Sequence, residues 1–146
     1  MKNYKIRFIN HASFSIEWEK SFILMDPWYT GRIFNDSWSL LQDTDIKEIE
    51  GIEKISSIVI SHEHPDHLHF PTLKKIRDKF PNNQITLYFP LRKDSSVKNA
   101  IEKMGFEFKY LQPSTPIKIN EDLSLCSFPT GHDSGIVFDL KDKILL

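Results

Sequence analysis

A single cysteine, Cys126, and five glycines are all that 146 residues contain of either type. One thiol excludes an internal disulfide and fits a reducing compartment. So few glycines leave no glycine-rich loop of the kind that cradles phosphates. Neither sign of charge dominates: 19 Lys plus Arg stand against 20 Asp plus Glu, for a net charge of -1, so no overall field steers the chain toward nucleic acid or acidic lipid. No stretch approaches the roughly 18 apolar residues of a membrane span, and the N-terminal Met1 to Lys5 carry no apolar signal core. These absences predict a cytoplasmic protein whose partner is a small-molecule substrate, not a nucleic acid or a membrane.

The 40% hydrophobic and 27% charged content is that of an ordinary globular domain, expected to bury roughly 70% of the surface its unfolded chain exposes. One domain over residues 1–146 is the expectation. Tyr4 to Asn10 alternate with period two, and Ser13 to Trp18 followed by Ser21 to Met25 read as a hairpin turning at Glu19-Lys20. From Asp26 to about Asp45 the pattern is irregular and aromatic-rich, with Trp28, Tyr29, Phe34 and Trp38, as in a long functional loop. Ser56 to Ile60 is a buried strand. Pro71 opens a helix with Leu73, Ile76 and Phe80 on one face, stopped by Pro81-Asn82-Asn83. Ile85 to Phe89 is the next strand. Asp94 or Ser95 then caps a second helix, with Val97, Ala100, Ile101 and Met104 on one face and Gly105 at its end. Phe106 to Tyr110, Ile117 to Ile119, Leu123 to Phe128 and Ile136 to Leu140 read as strands, the last continuing through Lys141-Asp142 toward Ile144. Strands, then alternating strands and helices, then strands again argue for a layered α/β fold.

Four of the six histidines fall between His62 and His69, directly after the strand ending at Ile60. His62 and His64 are two residues apart, so in extended backbone their imidazoles leave the same side and reach one ion. Pro65 holds His64 extended and forces a turn, which lets Asp66 and His67 address a second position. Imidazole and carboxylate together suit zinc, manganese or iron rather than calcium or magnesium. The alternative is a solvated His-rich turn or an adventitious ion. His69 lies outside the spacing and is expected to face solvent or cap the helix, and Glu63 to be solvated. A tight site with an open position needs a third imidazole, and His132, after Phe128-Pro129-Thr130-Gly131, is the candidate. Ser134 beside His132 and Asp133 makes no triad, whose members meet only by folding. Lys74, Lys75, Arg77 and Lys79 form a solvated helix face, and Cys126 packs within a strand.

His62-x-His64-x-Asp66-His67 at a strand end, preceded by Ile23-Leu24-Met25-Asp26-Pro27 and followed by Gly131-His132, resembles the metallo-β-lactamase-fold superfamily. Asn10-His11-Ala12-Ser13, Asp26-Pro27-Trp28 and Ser61 to His69 are further similar to the metallohydrolase-like part of the CMP-N-acetylneuraminate hydroxylases and their bacterial relatives. The resemblance implies an αββα sandwich, here its N-terminal half, with a mixed, mostly antiparallel sheet and helices on one face. It implies one or two divalent metals, zinc first and manganese or iron as alternatives: His62, His64 and His132 on the first, Asp66 and His67 on the second, with Asp66 orienting the nucleophile. Asp26 would buttress the ligand loops or merely form the turn before Pro27, His11 would line the pocket or only bond within its turn, and Trp28 would form a pocket wall or pack in the core. The family also expects a metal-bridging aspartate at the end of the strand after the third histidine, which the sequence to Leu146 does not supply. Three functions follow. The first is a hydrolase of a small ester, lactone or phosphoester, in sugar or nucleotide-sugar metabolism. The second is an oxygenase-type protein, whose Rieske centre would need two cysteines where Cys126 is the only one. The third is a non-catalytic metal-binding chain that forms a homodimer over its exposed sheet.

Overall fold

The computed structural model describes residues 4–18, 21–131, 133–140 and the backbone of 144–145; the expected turn at Glu19-Lys20, the expected ligand His132 and the Lys141-Asp142 continuation lie outside the described residues. Strands β1 (Tyr4–Asn10), β2 (Ser13–Trp18) and β3 (Ser21–Met25) form an antiparallel meander. A small hairpin, β4 (Arg32–Ile33) and β5 (Trp38–Ser39), then occupies part of the segment expected to be an irregular loop. Strand β6 (Ile55–Val59) pairs parallel to β3, and β7 (Thr86–Pro90) and β8 (Glu107–Leu111) follow in parallel, giving a six-stranded sheet of order β1-β2-β3-β6-β7-β8. Helices α1 (Phe70–Lys79) and α2 (Ser96–Lys103) are the crossovers. A second, antiparallel sheet contains β9 (Ile117–Asn120), β10 (Leu123–Thr130), β11 (Asp133–Asp139) and β12 (Ile144–Leu145).

Phe22–Met25, Ile58–Ile60 and Leu87–Phe89 are apolar without interruption because both faces of the sheet are covered there, whereas the edge strand β8 alternates, with Glu107 and Lys109 exposed. Phe22, Leu24, Ile58, Ile60, Leu87 and Phe89 point to the helix layer, where Leu73 and Ile76 of α1 and Ile101 of α2 meet them. The alternate residues Ile23, Met25, Val59 and Tyr88 face Leu123, Leu125, Ile136 and Phe138 of the second sheet. The layers are therefore helices, mixed sheet, antiparallel sheet, an α/β sandwich whose helices lie on one face. At α2, Ser95 takes the cap position and the Asp94 carboxylate accepts from the Ser96 amide at 3.0 Å, so both capping candidates take part. Two strands differ from expectation. β10 and β11 run on to Thr130 and from Asp133, turning the expected loop into a tight hairpin. β11 ends at Asp139, one residue before its expected end, and Ile144 pairs with Asp139. Among the described residues no helix is long and apolar enough to cross a membrane.

Candidate metal centre

Ligands of open α/β sheets bind beyond the carboxyl ends of the strands. Asp26 leaves β3 and Ser61 leaves β6 side by side, since Met25 and Val59 are register partners and the Asp26 amide donates to the Val59 carbonyl at 3.0 Å. The His11-Ala12 turn joining β1 to β2 opens at the same end, with His11 in the left-handed region at φ 49°. Beyond Ser61 the chain makes one helical turn, in which His67 and Leu68 amides donate to the His64 carbonyl. Pro65 occupies the position in that turn where its fixed φ is favourable.

Asp26 is buried, and its carboxylate organises the histidines. Oδ1 accepts the Ser61 amide at 2.8 Å, while Oδ2 accepts the Ser61 hydroxyl at 2.6 Å and faces His67 Nδ1 at 2.7 Å. An ionised carboxylate only accepts, so His67 carries its proton on Nδ1. Ser61 has given its single proton to Asp26, so at 2.9 Å it accepts from His62 Nδ1. Both rings thus turn unprotonated Nε2 atoms inward, the tautomer a metal ligand requires. Asp26 thereby ties Ser61 and His67 to the end of β3.

The inward atoms fall into two clusters, within each of which ligand-type atoms lie within 4.8 Å of one another: His62, His64 and Asp133, and His11, Asp66 and His67. In the first, His62 Nε2 is 3.0 Å from His64 Nδ1 and 3.8 Å from Asp133 Oδ1. In the second, Asp66 Oδ2 lies 3.0 Å from His11 Nε2 and 3.4 Å from His67 Nε2. The clusters touch, since the His62 and His67 ring centroids are 4.0 Å apart. Asp66 Oδ1 is buried and has no hydrogen-bond partner among the described residues. A buried carboxylate oxygen left without a donor is costly unless a cation meets it, so the donor set fits a divalent metal.

The electrostatics separate the two rings, favouring the neutral form at His62 and the protonated form at His67. Burial, with the nearby His67 charge, lowers the His62 pKa and favours its neutral form. Burial alone would lower that of His67, but the Asp26 hydrogen bond and the charges of Asp26, Asp66 and Asp133 outweigh it and raise the value. Burial would raise the Asp66 carboxyl, yet the His11 hydrogen bond and the His67 charge hold it below the usual carboxylate range.

Of the other candidates, His69 is buried rather than solvated and caps α1, its Nδ1 accepting the Thr72 amide at 3.3 Å. Glu63 is exposed and paired to Arg92 Nε at 3.0 Å. Trp28 is buried and sets its ring edge-on to His11 at 5.1 Å. Asp133 is not among the residues that the sequence pattern singles out; its neighbour His132 is, and the hairpin register Thr130–Asp133 is what brings Asp133 to His62.

A cluster of imidazoles and carboxylates at the strand ends of a helix-sheet-sheet sandwich defines an α/β protein with candidate ligand groups for a divalent metal. The chain belongs to the beta-lactamase superfamily domain family, whose model matches residues 5–141. It is 33% identical over 78 residues to the cytidine monophosphate-N-acetylneuraminic acid hydroxylase of Xenopus laevis, a match covering 53% of this chain and 13% of that protein. The Sus scrofa hydroxylase is 35% identical over 72 residues, covering 49% and 17% respectively. The chain thus matches only about an eighth to a sixth of these relatives' length. Among solved structures it is similar to CmlA, a diiron beta-hydroxylase from Streptomyces venezuelae (TM-score 0.75, 14% identity, 99% of this chain and 29% of that one). It is also similar to the short form of human tRNase Z (TM-score 0.56, 15% identity, 97% of this chain and 62% of that one). At these identities the structural likenesses show the fold.

Proposed function

We propose that this chain carries the metal-binding part of a hydrolytic site acting on a small ester, lactone or phosphoester, in sugar or nucleotide-sugar metabolism. The observation that carries the reading is the buried Asp66 Oδ1, without a hydrogen-bond partner among the described residues, beside inward-facing imidazoles. His62, His64 and Asp133 would hold one divalent ion, with His132 as a further ligand, and His11, Asp66 and His67 a second. Zinc is the first expectation, with manganese or iron as alternatives. Such an ion lowers the pKa of a bound water toward neutrality and polarises a carbonyl or phosphoryl oxygen. The protein's own part is orientation. Asp26 and Ser61 fix the tautomers of His62 and His67, and the Asp66 carboxylate, whose Oδ1 has no donor among the described residues, would meet the ion and orient its bound water. Elemental analysis of protein purified without added metal tests this. Bound zinc, manganese or iron that is lost in His62→Ala and His64→Ala supports it, and a metal-free protein overturns it.

A second reading is oxidative, and the hydroxylase relatives favour it. An iron-loaded protein that consumes oxygen with an external electron donor, and hydrolyses no ester with any metal, would replace the hydrolytic reading with this one.

A further inference from the structure

The candidate metal centre leaves unexplained a group of exposed apolar residues beside it, three of them aromatic. Phe8, Trp38 and Leu41 are 75%, 51% and 109% exposed, and Phe34 is 41% exposed. Large apolar side chains grouped at the surface mark interaction sites more often than single ones do. Three of the four line a cavity of about 640 Å³, the size of a small-molecule site, together with Asn10, His11 and Trp28. His11 belongs to both the cavity and the second metal cluster, so the two are continuous.

The β4–β5 hairpin places these rings. Phe34, Asn35 and Asp36 lie consecutively in the left-handed region, at φ 49°, 52° and 63°. That conformation is disfavoured for residues with a Cβ, although Asn and Asp tolerate it best. Local bonds hold it: Arg32 Nε and Nη2 donate to the Asp36 carbonyl at 3.1 and 2.7 Å, and the Ser37 amide and hydroxyl donate to the Phe34 carbonyl at 3.2 and 2.6 Å. Ile33 anchors the hairpin in the interior. The two rings then span the metal centre. Phe34 packs edge-on to Trp38 at 5.2 Å and reaches His64 of the first cluster at 6.5 Å, while Trp38 reaches His11 of the second at 6.4 Å. Among the described residues that line the cavity none is Asp, Glu, Lys or Arg.

We propose that this hairpin is the specificity wall of the site, where Trp38, with Phe34 and Phe8, stacks an uncharged ring carried next to the reacting group of the substrate. The inference rests on the proposed hydrolytic reading for what lies at the His11 and His64 end, but the wall binds its ring whether or not turnover follows. A charged substituent would find no counter-ion there, and a short aliphatic one would leave the rings in water.

Indole N–H signals in proton–nitrogen NMR provide the test, because the chain's three tryptophans differ: Trp18 and Trp28 are buried and Trp38 is half exposed. The protein as isolated is titrated with benzyl acetate and with ethyl acetate, and the Trp38 signal is assigned with Trp38→Phe. Benzyl acetate is expected to shift the Trp38 signal saturably, ethyl acetate to leave it in place, and Phe34→Ala to weaken benzyl acetate binding by about threefold to tenfold. Where esters are hydrolysed, Trp38→Leu, which keeps apolar bulk, should lower kcat/KM for benzyl acetate by about tenfold and for ethyl acetate by less than about twofold. Absence of hydrolysis with a saturable Trp38 shift supports the wall and counts only against the hydrolytic reading. Equal shifts with both esters, or benzyl acetate binding unchanged in Phe34→Ala, overturn the wall.

Discussion

Asp26→Asn separates the tautomer-setting role of Asp26 from its role in stability. The substitution is isosteric, and asparagine tolerates the φ of 42° found there. With its amide oxygen at the Oδ1 position, the substituted side chain still accepts the Ser61 amide. Its NH2 group then faces the Ser61 hydroxyl and His67 Nδ1, where the native contacts are 2.6 and 2.7 Å. An NH2 group only donates, so His67 Nδ1 must accept and its proton moves to Nε2. The Ser61 proton is likewise released toward His62 Nδ1, which sends that ring's proton to Nε2 as well. Both inward nitrogens become N–H groups and lose the lone pair that would bind metal. The other amide orientation sets two donors against each other at the Ser61 amide and costs about 1–3 kcal/mol for the unsatisfied buried group.

Removing one outer partner of a metal-ligating histidine commonly costs about 10- to 100-fold in affinity, and here two histidines change together. Asp26→Asn should therefore weaken zinc binding by about 100-fold, or about 2.7 kcal/mol, in a competition titration against a chromogenic chelator. Metal-free stability should fall by only about 1–3 kcal/mol, read as a Tm loss of roughly 3–10 °C in circular dichroism. Asp26→Ala leaves the Ser61 amide and the His67 ring without any acceptor and should lose both metal and more stability. A folded Asp26→Asn protein that binds zinc within about threefold of the parent would refute the tautomer argument.

The metal reading further predicts that chelator treatment lowers Tm, and that free zinc at about 100 times its Kd restores about 2.7 kcal/mol of stability to the parent and none to His62→Ala. Gly51 sits at φ 85°, and a Cβ there would lie 3.1 Å from Cε2 of the fully buried Phe22, so Gly51→Ala should cost more than the about 1–2 kcal/mol of left-handed strain alone. Gly105→Ala, with the same φ of 85° and only the Arg77 side chain at 3.5 Å, should cost that strain and no more, so equal Tm losses in thermal melts of the two variants would contradict the packing. Hydrogen bonds from Arg7 at 3.2 Å and Lys54 at 3.3 Å hold the Glu17 carboxyl below its ordinary value. Its contribution is full above the unfolded pKa and is lost as pH falls through the depressed folded one. The Tm gap between parent and Glu17→Gln should therefore be present at neutral pH and close in acid, and a gap that persists at the acid end would show that the bonds are not what stabilises.

What the sequence reveals about this molecule divides along a physical line. Elements stabilised by their own periodicity are legible: the uninterrupted Ile58-Val59-Ile60 marks a strand covered on both faces, and Leu73 and Ile76 mark the buried side of α1. The four close-spaced residues His62, His64, Asp66 and His67 are legible for the same reason, since a strand end and a proline turn fix their directions locally. Contacts set by register between distant segments are not. His11 meets Asp66 across 55 residues only because the β1–β2 turn opens at the same sheet end as β6. Asp133 meets His62 because β10 and β11 pair through Thr130 and Asp133, and a loop reading of that stretch leaves its direction open. The hairpin of Phe34 and Trp38 is the intermediate case. Asn35-Asp36 is a local signal for left-handed backbone, and Arg32 four residues before Asp36 is a natural clamp, but two-residue strands carry too little alternation to be seen. A site assembled this way can keep its local metal motif while the residues chosen by register vary. Chemistry should therefore follow the His62 to His67 segment, and substrate choice the hairpin and the turns facing it.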